Sequence, residues 1–185
     1  MRKEYGSALR ELFTEQLSHV CPDFALVKKY AALVRSPGEQ AYCCQVSDRL
    51  FLWIVLITDQ NREAFFIELG WSRHGRFPQL TMRPSFTLPR HAELEDEYLC
   101  RLGSLSGGKD FGWVVEELSL EATQEQMMAY ILNQTKPLSK EVARSRVIPH
   151  IEDALRDLVD YGLPFLNKHS QPGSGGFIQA SRLEC

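Results

Sequence analysis

The stretch Arg49-Leu-Phe-Leu-Trp-Ile-Val-Leu-Ile-Thr-Asp-Gln-Asn-Arg-Glu-Ala-Phe-Phe-Ile-Glu-Leu-Gly-Trp71 decides the fold class of this chain. Residues 51–57 are apolar at every position, which is typical of a strand that is covered on both faces. Residues 59–62 form a polar turn. Beyond the turn, apolar residues alternate with positions that are partly polar, as in a strand whose second face is partly wet. The stretch therefore predicts a hairpin at the centre of a sheet.

The elements around this hairpin are segregated by type. Residues 4–20 have the apolar spacing of an amphipathic helix, and short strand patterns follow it. Thr123 and Gln126 have the spacing of a capping box that opens a helix over 124–133. A second helical region covers 139–161, where Pro149 marks either a kink or the start of a separate helix, and Gly162 with Pro164 predicts its end.

This order predicts an α+β fold. We expect an N-terminal helix, a central and mainly antiparallel twisted sheet of about five to six strands, and C-terminal helices packed on one face. Residues 1–169 are expected to form one domain. Because 170–176 are rich in glycine, serine and proline, residues 170–185 are expected to be a flexible C-terminal tail.

Composition restricts the class of protein. The net charge of −3 argues against general nucleic-acid binding, which requires Lys and Arg to neutralise phosphates. No apolar run reaches the ~18 residues of a membrane span, and no signal-peptide core is evident. The five cysteines show no C-x-x-C pair and no zinc-type spacing, which favours reduced thiols and a cytoplasmic location.

No motif predicts catalysis. Gly108-Lys109 is followed by Asp110 where a phosphate-binding loop needs Ser or Thr, so this segment is interpreted as a turn between strands. The histidines lack metal-ligand spacing, and no nucleophile motif is present. We therefore expect no catalytic residue, no cofactor and no metal. The sequence favours a protein that is not an enzyme.

Two charged segments are the candidate binding residues. The first is a loop over 72–90 that is rich in proline and arginine, with Trp71 and Phe77 as stacking surfaces, and the second is an acidic run after it. The candidate partner-binding residues are Arg73, His74, Arg76, Arg83, Arg90, Glu93, Glu95, Asp96 and Glu97. Arginine suits carboxylate or phosphate recognition, and acidic belts can steer basic partners. The alternative is a solvated loop whose arginines pair with acids such as Glu68 or the run that follows.

Three stretches carry a resemblance. These are Phe65-Phe-Ile-Glu-Leu-Gly-Trp-Ser-Arg73, Arg101-Leu-Gly-Ser-Leu-Ser-Gly-Gly-Lys-Asp-Phe-Gly-Trp113 and Tyr161-Gly-Leu-Pro-Phe-Leu166. Over residues 5–166 the chain resembles an uncharacterised bacterial family of α+β domains of unknown function. The resemblance implies an immunity-protein-like role beside a secreted toxin, and it implies no catalytic residues.

The leading hypothesis is a non-enzymatic cytoplasmic protein-binding domain, in the form of an immunity protein that neutralises a cognate bacterial toxin by direct binding. The alternative is a small enzyme or ligand-binding domain that recognises an anionic or nucleotide-like molecule through the Arg73–Arg90 loop. A third hypothesis is a homodimer formed through Trp53, Phe66 or the C-terminal helix.

Overall fold

A computed structural model of the chain describes residues 1–32, 36–59, 61–80, 91–94, 96–106, 112–117, 121–134 and 136–170. The helices are α1 (Lys3–Val20), α2 (Gln124–Gln134), α3 (Lys140–Asp157) and α4 (Leu163–Ser170). The strands are β1 (Ala25–Val27), β2 (Gln40–Gln45), β3 (Phe51–Thr58), β4 (Glu63–Ser72), β5 (His91–Leu94), β6 (Glu97–Arg101) and β7 (Trp113–Glu116). A short 3₁₀ turn follows β6.

The strands form one antiparallel sheet. Six of them lie in the order β1-β2-β3-β4-β6-β5, and β7 pairs separately with β4. The predicted hairpin is the centre of this sheet, with Ile54 opposite Leu69 and Leu56 opposite Ile67. Because β4 is longer than its neighbours, its first residues pair with β7 and its last ones pair with β6.

One face of the sheet carries the main core. On it, Leu52, Ile54 and Leu56 of β3 are fully buried in one cluster with residues of α1 and α3. The apolar stripe of α1 contributes Leu9 and Phe13, while the stripe of α3 lies beside α1. The sequence predicts that β3 is apolar throughout because both of its faces are covered. The structure agrees, since the remaining apolar side chains of β3 are buried on the opposite face of the sheet.

The opposite face is covered by loops. Trp53, Val55 and Ile57 of β3 form a second cluster with Phe77 and with residues before β2. Trp53 and Phe66 are therefore buried, so the homodimer contact predicted through these two residues is wrong. The segment that follows β4 folds back over its own sheet and buries them.

The C-terminal helical region is longer than the sequence predicts. It does not end at Gly162 and Pro164, because a π-helical turn over Leu158–Gly162 joins α3 directly to α4. Pro164 lies just after this π-helical turn, and as a proline it donates no backbone hydrogen bond there. Gly162 lets this turn approach the sheet, since a Cβ there would lie 2.8 Å from Leu69 Cδ1.

The predicted fold class is confirmed: the chain is α+β, with an N-terminal helix, an antiparallel sheet and C-terminal helices. Pro149 lies inside α3 and so does not begin a separate helix. The capping box is present, because Gln126 N donates to Thr123 Oγ1 at 3.2 Å and Thr123 N donates to Gln126 Oε1 at 2.8 Å. Ser170 is the last residue of α4, and the predicted tail beyond it lies outside the described residues.

Candidate functional site

The two predicted charged segments meet at Glu97. This carboxylate has only 3% of its side chain exposed, and Arg76 Nη1 lies 2.6 Å from its Oε1. Ser72 Oγ donates to Oε1 at 3.0 Å, and the backbone N–H of Gln79 donates to Oε2 at 3.0 Å. Both carboxylate oxygens are therefore occupied from within the chain. For this pair, the arrangement matches the interpretation in which loop arginines pair with the acidic run.

The other candidate residues are placed around this pair. The backbone N–H of Arg73 donates to the carbonyl of Asp96 at 2.9 Å, while the backbone N–H of His74 donates to Ser72 Oγ at 3.2 Å. His74 is exposed, and Glu93 lies in β5 opposite Tyr98. Arg83, Arg90 and Glu95 lie outside the described residues.

The two aromatic rings that were expected to offer stacking surfaces are buried. Trp71 lies on the helix-covered face, where its ring stacks on Tyr98 with centroids 4.4 Å apart. Phe77 lies on the opposite face and meets Trp53 edge-on at 5.1 Å. Because both rings are buried, the prediction that Trp71 and Phe77 offer stacking surfaces beside the arginines is wrong. The ring of Phe77 packs the loop against the sheet, whereas Trp71 is part of the sheet itself.

A second pair of charged residues lies inside the sheet. Glu68 of β4 is opposite Arg101 of β6, and both are buried. The guanidinium of Arg101 lies over the ring of Phe66 at 4.3 Å, in cation–π geometry. The signal for this site in the sequence is Glu68, the one acid within the otherwise apolar residues 64–71.

A polar network at the N-terminus was not predicted from the sequence. Arg2 contacts the carboxylates of Glu63 at 3.0 Å and of Glu116, while the hydroxyl of Tyr5 donates to Glu116 Oε2 at 2.9 Å. Arg146 Nη1 of α3 donates to that hydroxyl oxygen at 2.9 Å. The network joins α1, β4, β7 and α3, and its two arginines face two glutamates. These charged groups pair with one another, and the network therefore holds the four elements together.

The cysteines have the chemistry of core residues. Burial raises the pKa of the Cys21 and Cys43 thiols to about 12 from the ordinary value of 9.0. Burial also raises the pKa of Cys44 and Cys100. Since the thiolate is the nucleophile, these four free thiols are unsuited to covalent catalysis at neutral pH.

Four of the exposed large apolar side chains among the described residues lie on α2. Met127, Met128, Ile131 and Leu132 expose 45%, 53%, 51% and 56% of their surface. Residues 127 and 131, and likewise 128 and 132, are four apart and so are neighbours on the helix surface. Within the described part of the chain, α2 has no extensive packing against another helix or strand. Sequence reasoning found this helix but not the exposure of its apolar side chains.

The sequence on the N-terminal side of this α2 patch, defined as Met127, Met128, Ile131 and Leu132, is rich in acids. Between Trp113 and Gln134 the sequence has four acids and no Lys, Arg or His. The acids are Glu116, Glu117, Glu121 and Glu125. Glu116 belongs to the N-terminal network, whereas Glu117 and Glu125 are exposed. Two exposed acids thus lie near the patch in the sequence, while Arg2 and Lys136 contact Asn133 at the other end of the helix.

Two further kinds of site are a metal-binding cluster and a membrane-spanning helix. Across the described ranges, no group of three or more His, Cys, Asp or Glu side chains is placed to hold a metal ion. None of the helices in that part of the chain combines the length and apolar character needed to cross a bilayer. No protein-family model, curated protein or solved structure matches this chain.

Proposed function

We propose that this protein is a non-catalytic domain that binds another protein, and that the α2 patch is its contact surface. The observation that supports this most directly is the exposure of four large apolar side chains on one short helix. Exposed apolar surface costs roughly 25 cal/mol per Å² relative to burial, and contiguous patches of it are typical of interaction sites. Methionine suits such a surface because its flexible side chain adapts to the partner.

The local structure of α2 supports this role. A helix of this length is marginal in water by itself, and most helices gain their stability by packing an apolar face. In α2 the N-terminus is closed by the Thr123–Gln126 capping box. Near its C-terminus, Arg2 Nη1 donates to the carbonyl of Asn133 at 3.2 Å. These contacts hold the helix at its ends and leave the apolar residues open to a partner.

The charge near α2 indicates the kind of partner. The exposed acids Glu117 and Glu125 favour a partner with a basic surface, because complementary potentials speed encounter and exclude wrong partners. A basic toxin neutralised in the cytoplasm by direct binding fits this chemistry. We propose toxin neutralisation as the specific form of this binding.

The alternative, recognition of an anionic small molecule by the arginine loop, has weaker support. Arg76 is engaged by Glu97, and the two neighbouring aromatic rings are buried. Arg73 and His74 lie at the end of the sheet where that loop starts. A charge reversal at Arg73 therefore serves as the comparison for a change on α2.

The test is capture of the partner by variants of the tagged protein. We expect the double substitution Met128→Glu and Leu132→Glu to abolish capture of the product of the gene adjacent to this one, and Arg73→Glu to leave it intact. Far-UV circular dichroism and urea unfolding must first show that both variants are folded. If the α2 double variant still captures the partner and Arg73→Glu does not, the binding site is the arginine loop and not α2.

For toxin neutralisation itself, cells that express the adjacent product should survive with the wild-type protein and die with the α2 double variant. Killing that the wild-type protein does not prevent would remove the toxin assignment. A protein-binding role through α2 would then still be tested by the capture experiment.

A further inference from the structure

Arg2 connects two parts of the molecule that are far apart in the sequence. It directly precedes α1, and its backbone is held on both sides. Its N–H donates to Oε1 and Oε2 of Glu63 at 3.2 and 3.0 Å, while its carbonyl accepts from Gly6 N at 3.0 Å. Only 11% of its side chain is exposed. The guanidinium therefore extends from a backbone that is fixed in place.

Each nitrogen of this guanidinium has a partner. Nε donates to Glu63 Oε1 at 3.0 Å, and Nη2 donates to the carboxylate of Glu116 and to the hydroxyl of Tyr5. The remaining nitrogen, Nη1, donates to the backbone carbonyl of Asn133 in the last turn of α2 at 3.2 Å. Because the donors of a guanidinium form a rigid fork, the two carboxylates that hold the group also fix the nitrogen that reaches α2.

The helix that receives this hydrogen bond has little burial of its own. From Gln124 to Asn133 every residue is exposed except Tyr130, which is half-buried. A helix of this length is marginal in water unless it packs an apolar face. Its last carbonyls have no partner within the helix, and a cation at that end interacts favourably with the helix dipole. A cation that donates to one of these carbonyls thus stabilises the helical state of α2.

We propose that Arg2 is a positioning residue for α2, and that it couples the network of Glu63, Glu116 and Tyr5 to the folded state of this helix. With the guanidinium in place, α2 is capped at both ends, by its capping box and by Arg2. Without it, the C-terminal part of α2 opens while the sheet and its core remain folded. Such local opening is typical of segments with few buried contacts.

The coupling does not require that α2 binds a protein. Its consequence for the α2 patch rests on the proposed function. If only the folded helix binds the partner, the apparent affinity falls in proportion to the fraction of molecules in which α2 is folded. A change at Arg2, which is not part of the patch, would then weaken partner binding.

Amide hydrogen exchange of the full chain, measured by mass spectrometry near neutral pH, tests the proposal. Urea unfolding of each variant first shows that it is folded. We expect Arg2→Gln to speed exchange in the peptides of α2 about fivefold or more, and to leave β3 protected.

Arg146→Gln is the matched control, because Arg146 contacts Tyr5 and Glu116 of the same network but lies on α3. It should leave exchange in α2 within about twofold of the wild type. If Arg2→Gln does not fold, Arg2→Lys takes its place. The ammonium keeps the positive charge for the two glutamates but lacks the fork of donors, so the same rise in α2 exchange is expected.

The outcomes separate the two proposals. Faster exchange in α2 with the Arg2 variant and not with Arg146→Gln supports the coupling, whereas equal effects, or no effect of the Arg2 variant, overturn it. A wild-type α2 that exchanges as fast as an unfolded chain also overturns it, while partner capture that is lost in the α2 double variant would still support the proposed function. The expected exchange pattern, combined with partner capture that is insensitive to the α2 double variant, would support this inference and remove the proposed function.

Discussion

Arg76 Nη1 lies 2.6 Å from Oε1 of Glu97, which joins the loop after β4 to the first residue of β6. Glu97 is buried, whereas 43% of the Arg76 side chain is exposed. The carboxylate also accepts hydrogen bonds from Ser72 and Gln79, so it holds both ends of the described loop. The pair therefore holds in place the loop that covers the aromatic cluster on the second face of the sheet.

Glu97→Gln is expected to lower the free energy of unfolding by about 2 kcal/mol, because hydrogen bonds to a buried charge are worth roughly 1.5–3 kcal/mol. Arg76→Gln is the matched change on the partner and should cost roughly 0.5 kcal/mol, since solvent screens its exposed guanidinium. Urea unfolding of both variants measures the difference. Equal losses would show that the ion pair, and not the buried acceptor, holds the loop.

Glu116 and Glu117 are adjacent acids with different surroundings. Glu116 contacts Arg2, Tyr5 and Arg146, whereas Glu117 is exposed. We expect Glu116→Gln to destabilise the protein by about 2–3 kcal/mol, because it removes the carboxylate that Arg2, Tyr5 and Arg146 share and leaves Glu63 as the remaining acid of the network. Glu117→Gln should change stability by less than about 0.5 kcal/mol. Thermal and urea unfolding of the two variants would contradict this view if the losses were similar.

Gly70 and Gly6 should respond oppositely to alanine. A Cβ at Gly70 would lie 2.2 Å from the carbonyl oxygen of Tyr98 on the neighbouring strand, which a backbone cannot relieve without shifting. Gly6 is inside α1, and a Cβ there meets Arg10 Nη1 at an ordinary 3.4 Å. Gly70→Ala should cost more than about 2 kcal/mol, whereas Gly6→Ala should stabilise by about 0.5–1 kcal/mol. Urea midpoints measure both, and a tolerated Gly70→Ala would contradict the close strand approach.

Exposed and buried leucines give the sharpest check on the α2 patch. Leu132→Ala should change the free energy of unfolding by less than about 0.5 kcal/mol, because the side chain is already half in water. Leu155→Ala in α3 removes the same atoms from a fully buried site and should cost about 2–5 kcal/mol. A large loss at Leu132, measured on dilute monomer, would mean that α2 packs on its own chain.

We expect the thiols of Cys21 and Cys43 to lower the free energy of unfolding at alkaline pH. The folded-state pKa of Cys21 and Cys43 is raised to about 12, so the native state keeps protons that the unfolded state releases above its ordinary value of 9.0. Since the native state then binds more protons, the free energy of unfolding decreases as pH rises from about 9 towards 12. Urea unfolding between about pH 8 and 9.5, below the ordinary tyrosine range, measures this decrease.

The double variant Cys21→Ala and Cys43→Ala is the control for the pH series. Its stability should depend less steeply on pH than that of the wild type, whatever its absolute value. In the wild-type protein, iodoacetamide at pH 8 should label Cys21 in urea and leave it unmodified in the native state. Rapid native labelling of Cys21 would contradict the burial that raises its pKa.

The sheet and its core could be predicted because their signals are local. The unbroken apolar run of β3 already requires cover on two faces, and the polar residues 59–62 place the turn between β3 and β4. The Thr123–Gln126 box likewise requires only contacts within one helical turn. The end of α3 could not be predicted in this way, because Gly162 is kept in the helix by its packing on Leu69, which is distant in sequence.

The amino-acid sequence by itself determined the fold class, the central hairpin, the capped start of α2 and the charged segments. Tertiary structure alone decided which charges satisfy one another and which apolar residues remain in water. The apolar spacing around Met128 is typical of a helix that packs in a core as much as of one that binds a partner. Periodicity shows which residues share a face of the helix, but not what covers that face. Arg76 and Glu97 likewise show their charges in the sequence, but only the fold of the chain brings them within 2.6 Å.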